Sequence, residues 1–304
     1  MPDCANSLPA SLPQYDGIVV LNKPAGPSSA QCLRPFKRQG QKKIGHAGTL
    51  DPMATGVLIV LLGQATKLSG WLLGEGEKVY SGVIRLGVET DSWDMTGRIV
   101  SEKSYSGISE TALAEAIAEW THISEQEVPA YSAAKHGGQP LYKLARKGHD
   151  TPAKRKSVRI AAAEMLEANL PFVRFRVRCG SGSYVRSLAH SLGMRLGCGA
   201  ALSGLTREYS YPFALADSVS LAEIEAGLAP RHVRPLTAAL PAWPCLELAA
   251  ADAARVRNGM PVRAHPGAVG SMAFLQANGV PLAIARLKAT GDGFWWQVAR
   301  GLGN

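Results

Sequence analysis

Residues 45–58 read GHAGTLDPMATGVL, and the apolar run VLIVLL follows over 57–62. A short β-branched run bounded by Gly and Pro signals predicts a buried strand. The segment before it is therefore a loop whose far end is anchored in the core. It carries one carboxylate, Asp51. An Asp-Pro pair among small residues is a common turn, which is the plain reading. Against it stand Gly45 and Gly48, which permit close backbone approach, and the polar neighbours His46 and Thr49. A loop fixed by a buried strand is where reactive side chains tend to be held. Asp51 is thus a candidate nucleophile.

Working outward, GIVVLNKPAG (17–26) and KVYSGVIRLG (78–87) read as strands, and ETDSWDMTG (89–97) as a polar turn. SETALAEAIAEW (109–120) predicts a helix with a Ser cap and apolar residues at helical spacing. PFVRFRVRCG (171–180) alternates, with Val173, Phe175, Val177 and Cys179 on one face and Arg174, Arg176 and Arg178 on the other. That is either a sheet with one wet face or, with KRK at 154–156, a phosphate-facing surface. SYVRSLAHSLGMRLG (183–197) reads as a helix opened by Ser183, on which Arg186 is either the partner of a carboxylate or, taken alone, a surface residue. RPLTAALPAWP suits a linker, and short strand-like pieces follow it. These elements give an α+β chain: a tail over 1–16, a large domain over 17–233, a linker over 234–245 and a small, mostly β domain over 246–304.

The formal net charge of +9 favours a polyanionic partner. The five cysteines, at 4, 32, 179, 198 and 245, form no CxxC pair, so reduced thiols and a cytoplasmic location are expected. The N-terminal segment lacks the basic and apolar regions of a signal peptide, and no apolar run is long enough to span a bilayer. The seven histidines show no HExxH spacing, and neither a P-loop nor a GxSxG elbow is present. No metal and no cofactor are expected. Glycoside hydrolysis needs a second, suitably placed acid, and none is found.

GIVVLNKPAGPSS, KKIGHAGTLDPMATGVLIVLLGQATK and KVYSGVIRLGVETDSWDMTGRI, with YSAAKHGGQPLYKLARKG and CGSGSYVRSLAHSLGMRLGCGAALSGLTR, occur in this order between about 17 and 207. Together they resemble the TruB family, bacterial tRNA pseudouridine synthases acting on uridine-55 of the TΨC loop. The resemblance implies a pseudouridine synthase-like domain on a large mixed sheet flanked by helices, and the tail beyond 246 resembles a PUA-like domain.

It also implies roles. Asp51 is the catalytic aspartate and Arg186 its partner. Tyr80 stacks on the uracil and assists catalysis, and Tyr184 and Leu205 line the pocket. His46 meets the RNA, and Lys23 supports the first motif at the substrate site. The partner is tRNA, engaged by a monomer through its TΨC stem-loop, with no membrane and no metal. Two departures stand out: Val128-Pro129-Ala130 where the family often has two prolines, and Thr206-Arg207-Glu208 where it commonly has two arginines. The second is expected to weaken RNA contacts. A non-catalytic RNA-binding protein or tRNA-folding chaperone, and a guide-dependent relative, are the competing readings.

Overall fold

The computed structural model describes residues 14–74, 76–132, 134–145 and 154–303, so most of the expected tail lies outside the described residues. Nine strands form the central sheet. They are β1 (Gly17–Lys23), β2 (Ile44–Ala47), β3 (Thr55–Leu62), β4 (Glu77–Leu86), β5 (Ile160–Asn169), β6 (Phe172–Gly180), β7 (Ala200–Ser210), β8 (Phe213–Ala214) and β9 (Val219–Ser220). The main order is β5-β6-β4-β7-β3-β1-β9, with β2 paired to β3 and β8 to β7. β7 lies parallel to β3 and antiparallel to β4, which makes the sheet mixed.

The central strands are apolar on both faces because both faces are covered. Val19, Leu21, Leu58, Val60 and Leu62 enter one core with the helix α2 (Val185–Leu196). Ile18, Val20, Val57, Ile59 and Leu61 enter a second core on the opposite side. The helix α1 (Glu110–Ala118) closes the first core; Ser109 Oγ accepts the Ala112 N–H at 3.2 Å, and Leu113, Ala116 and Ile117 are buried. The expected Ser183 cap on α2 is not formed. Tyr184 occupies the N-cap, and the Ser183 hydroxyl donates instead to Gly180 O.

The arginine row lies on a solvent-exposed face and is matched by acids. Arg174 pairs with Glu167, Arg176 with Glu208 and Arg178 with Glu77, at 3.1, 2.8 and 3.6 Å. The acids come from β5, β7 and β4, so their neutralising effect was invisible in a strand read alone.

The second sheet is built from β10 (Cys245–Glu247), β11 (Val262–Ala264), β12 (Met272–Ala277), β13 (Val280–Thr290) and β14 (Gly293–Gly301), in the order β10-β12-β13-β14-β11. A helix, α3 (Ala250–Arg257), packs on it through Ala253 and Val256. Phe274, Ile284 and Leu302 join the second core beneath the central sheet, and Trp243 lies 5.9 Å from Trp71 and 5.6 Å from Phe274. The segment expected as a linker is packed along this seam: Arg234 exchanges both backbone hydrogen bonds with Ile18, and Leu236, Ala239 and Leu240 are buried. No helix among the described residues is long and apolar enough to cross a membrane.

Candidate active site

The loop between β2 and β3 is held from three directions. Lys23, fully buried at the end of β1, donates from Nζ to the carbonyls of Pro24, Pro52 and Ala54 at 2.9, 3.1 and 2.7 Å. Ser29 Oγ donates to Leu50 O at 3.0 Å and accepts the Leu50 N–H at 2.9 Å. Arg207, on β7 and 1% exposed, donates to Val57 O at 2.7 Å and to Gly48 O at 2.8 Å. Gly56 adopts φ +100°, and a Cβ there would lie 2.3 Å from Arg207 O, so β3 and β7 approach closely only because this position is glycine.

Asp51 projects from this loop onto the start of α2. Arg186 Nε donates to Asp51 Oδ2 at 2.9 Å and Arg186 Nη2 to Oδ1 at 3.1 Å, a bidentate pair. The same guanidinium donates to Ser92 O and Tyr131 O, both at 2.9 Å. It is therefore locked by groups from three segments, and its side chain is 4% exposed against 34% for Asp51. The acid is left open on the outside while its partner is sealed.

A second carboxylate lies 3.6 Å from Arg186 Nε: Asp94, 4% exposed, whose Oδ1 accepts from Ser92 Oγ and the Thr96 N–H. The sequence reading placed Asp94 in a polar turn, which is where it is, but that reading gave no sign of a buried charge facing Arg186. The local hydrogen bonds that make the turn are enough to account for the residue, so nothing in the sequence marked it.

A cleft of about 690 Å³ opens over Asp51 and is lined by Tyr80, Tyr184, Arg186 and Leu205. Five of the seven expected site residues thus meet at one place. Tyr80, 7% exposed on β4, forms part of its wall. Burial pushes the Tyr80 phenol up from its ordinary value, and the Arg207 guanidinium within hydrogen-bonding reach opposes part of that rise. The Tyr184 backbone N–H is received by Gln126 Oε1 at 2.9 Å, which fixes the entry to α2.

Lys23 and His46 are not in the cleft wall. Lys23 spends its ammonium on the loop, as described. His46 sits on β2; burial and then Arg207 hold its imidazole below the ordinary histidine range, and its Nδ1 is buried without a partner. Arg207, expected beside a weakened RNA contact, is a buried brace between Gly48, Val57 and Tyr80.

Sequence reading also missed Lys78, which lines the cleft two residues before Tyr80 in KVY. The spacing of two on a strand is the signal that would have found it. Burial, and then the Arg207 charge, lower its pKa to about 8. Among the described residues no three His, Cys, Asp or Glu side chains converge as a metal site.

A mixed sheet with an Asp–Arg pair lining a cleft above it is the arrangement to compare with known folds. Two solved structures share the fold across 95% of this chain at 22% identity: an H/ACA ribonucleoprotein bound to a substrate RNA containing 2′-deoxyuridine (TM-score 0.66, 85% of that chain) and the archaeal box H/ACA sRNP Nop10-Cbf5 complex (TM-score 0.67, 86% of that chain). The family described as TruB family pseudouridylate synthase (N terminal domain) matches residues 37–185. Proteins called tRNA pseudouridine synthase B are similar over nearly the whole chain. That of Oleidesulfovibrio alaskensis is 54% identical, covering 97% of this chain and 99% of its own. That of Nitratidesulfovibrio vulgaris strain Hildenborough is 52% identical over 95% and 98%. That of Xanthomonas campestris strain 8004 is 40% identical over 90% and 91%. The chain belongs to the TruB family of pseudouridylate synthases, which are isomerases.

Proposed function

We propose that this chain isomerises uridine-55 in the TΨC loop of tRNA to pseudouridine, in the cytoplasm and without a cofactor. The observation that carries the reading is the half-open Asp51 carboxylate, gripped on both oxygens by a buried Arg186 at the floor of a cleft with an aromatic wall. The relatives named above support the choice of tRNA.

The target uridine is extruded from its loop, costing a few kcal/mol. Tyr80 stacks on the uracil, worth about 1–3 kcal/mol. Asp51, held on both oxygens by Arg186, acts on the ribose in one of two ways. Its oxygen attacks C1′, forming an ester as the uracil leaves with the N1–C1′ electron pair, or it removes the 2′ proton to give a glycal. The freed uracil rotates between Tyr80 and Leu205 and C5 bonds to C1′. On the ester route the C1′–O bond breaks and returns the Asp51 carboxylate; on the glycal route Asp51 gives its proton back to C2′. On both, the C5 proton is lost while N1 takes one from solvent. No atom is gained and none oxidised, so the residues present suffice.

The test is tritium release from tRNA labelled at uridine C5, comparing wild type with Asp51→Asn, and mapping of the product position. Release by the wild type alone, at position 55, with both proteins binding tRNA, is the expected result. Tight binding without release by either would make the chain an RNA chaperone, and release from another position would correct the substrate.

A further inference from the structure

The cleft lining gathers the cations Lys78 and Lys156 beside Ser181 and Gly182. Asp51 is the one acid among the cleft-lining residues, and Arg186 occupies it. Lys78 is 8% exposed, and its Nζ donates to Ser181 Oγ at 2.9 Å. The Arg207 and Lys156 cations both act on it. Lys156 converges on the same turn from the other side. A Cβ on Gly182 would lie 1.9 Å from Lys156 Nζ, so the ammonium rests against the bare Cα of that glycine. On a separate antiparallel pair of short strands, Glu125–Glu127 and Arg155–Ser157, Lys156 pairs in register with Gln126, and both side chains leave it towards residues 182–184, on the face opposite Glu125 and Glu127.

Lys78 is buried and Lys156 is exposed; like charges that meet across this turn repel, and an anion bound between them relieves the repulsion. Ser181 is set up for one. Its oxygen accepts from Lys78, which leaves its O–H free to donate. Two ammonium donors and one hydroxyl around a single concavity fit a phosphate group.

We propose that Lys78, Lys156 and Ser181 form a phosphodiester subsite of the substrate RNA, holding the backbone phosphate beside the extruded uridine. The inference rests on the function proposed above and assigns that site its backbone contact. The subsite grips the strand at the cleft mouth while the sugar is delivered to Asp51. It thereby orients the nucleotide rather than taking part in bond breaking, and Lys78 and Lys156 are positioning residues.

The experiment uses the full chain and a TΨC stem-loop with tritiated target uridine, made either unmodified or with one neutral methylphosphonate linkage at each flanking position. Lys78→Met and Lys156→Met should each lower kcat/KM by about tenfold or more, and flatten the dependence of log Kd on log salt by about 0.7–1. One methylphosphonate should weaken wild type similarly yet have little added effect on Lys78→Met. Unchanged salt slopes in both variants, or additive losses at every linkage, would overturn the subsite. A wild type that binds RNA but releases no tritium would instead sink the isomerase reading, and the salt slopes would still decide on the lysines.

Discussion

Arg186 makes four hydrogen bonds with one guanidinium: two to Asp51 and one each to Ser92 O and Tyr131 O. A lysine has no planar fork and cannot satisfy these acceptors together. Arg186→Lys should therefore reduce kcat by about a hundredfold or more while tRNA affinity changes within about threefold, measured by single-turnover tritium release and filter binding. Equal losses in both would make Arg186 merely an RNA contact. Lys78 allows a test in the opposite direction. Its pKa is about 8 in the folded chain against an ordinary 10.5. Between those values the unfolded chain holds more protons, so stability climbs as pH rises, and below pH 8 the buried ammonium costs the fold its full penalty. Lys78→Met should stabilise the protein by about 1–3 kcal/mol at pH 7, with the gain shrinking towards pH 10, as read by urea unfolding. A residue kept at such a cost is what a binding role predicts.

The loop between β2 and β3 shows how an element confines a side chain. Gly56 holds φ +100°, with no room for a Cβ between β3 and β7. Gly56→Ala should cost about 2 kcal/mol or more, detected as a lower melting midpoint with activity falling in parallel. At this scale the sequence was largely readable: VLIVLL, KVYSGVIRLG and PFVRFRVRCG are strands, and 109–120 holds a helix. What escaped were pairings between distant segments. Arg186 looks like a surface residue on its own helix because its partners stand 55 to 135 positions away. The arginine row reads as unpaired charge until the acids of β4, β5 and β7 are set beside it. Asp51 itself reads as a turn from composition; its glycine-rich, strand-anchored loop makes it a candidate, and the resemblance of the whole block gives it a role.

In the molecule as a whole, the second core is shared between the central sheet and the C-terminal sheet. Phe274, fully buried at that seam, should cost about 3–5 kcal/mol when changed to alanine. Scanning calorimetry should show one transition for wild type, and Phe274→Ala should lower the midpoint for both sheets together. Two independent transitions would mean that the seam is only a contact. Because both faces of β1 are covered, that strand is buried from Gly17 to Leu21 with no polar side to tell its faces apart. Oiliness alone would accept a slip of one residue. The ammonium of Lys23 would not: a slip would present Asn22 instead and strand three carbonyls around Asp51. A single charge at the end of an otherwise featureless strand therefore acts as the ratchet tooth that sets the alignment of the fold's central pairings, and an insertion or deletion within 17–22 would disarm the chemistry before it unfolded the chain.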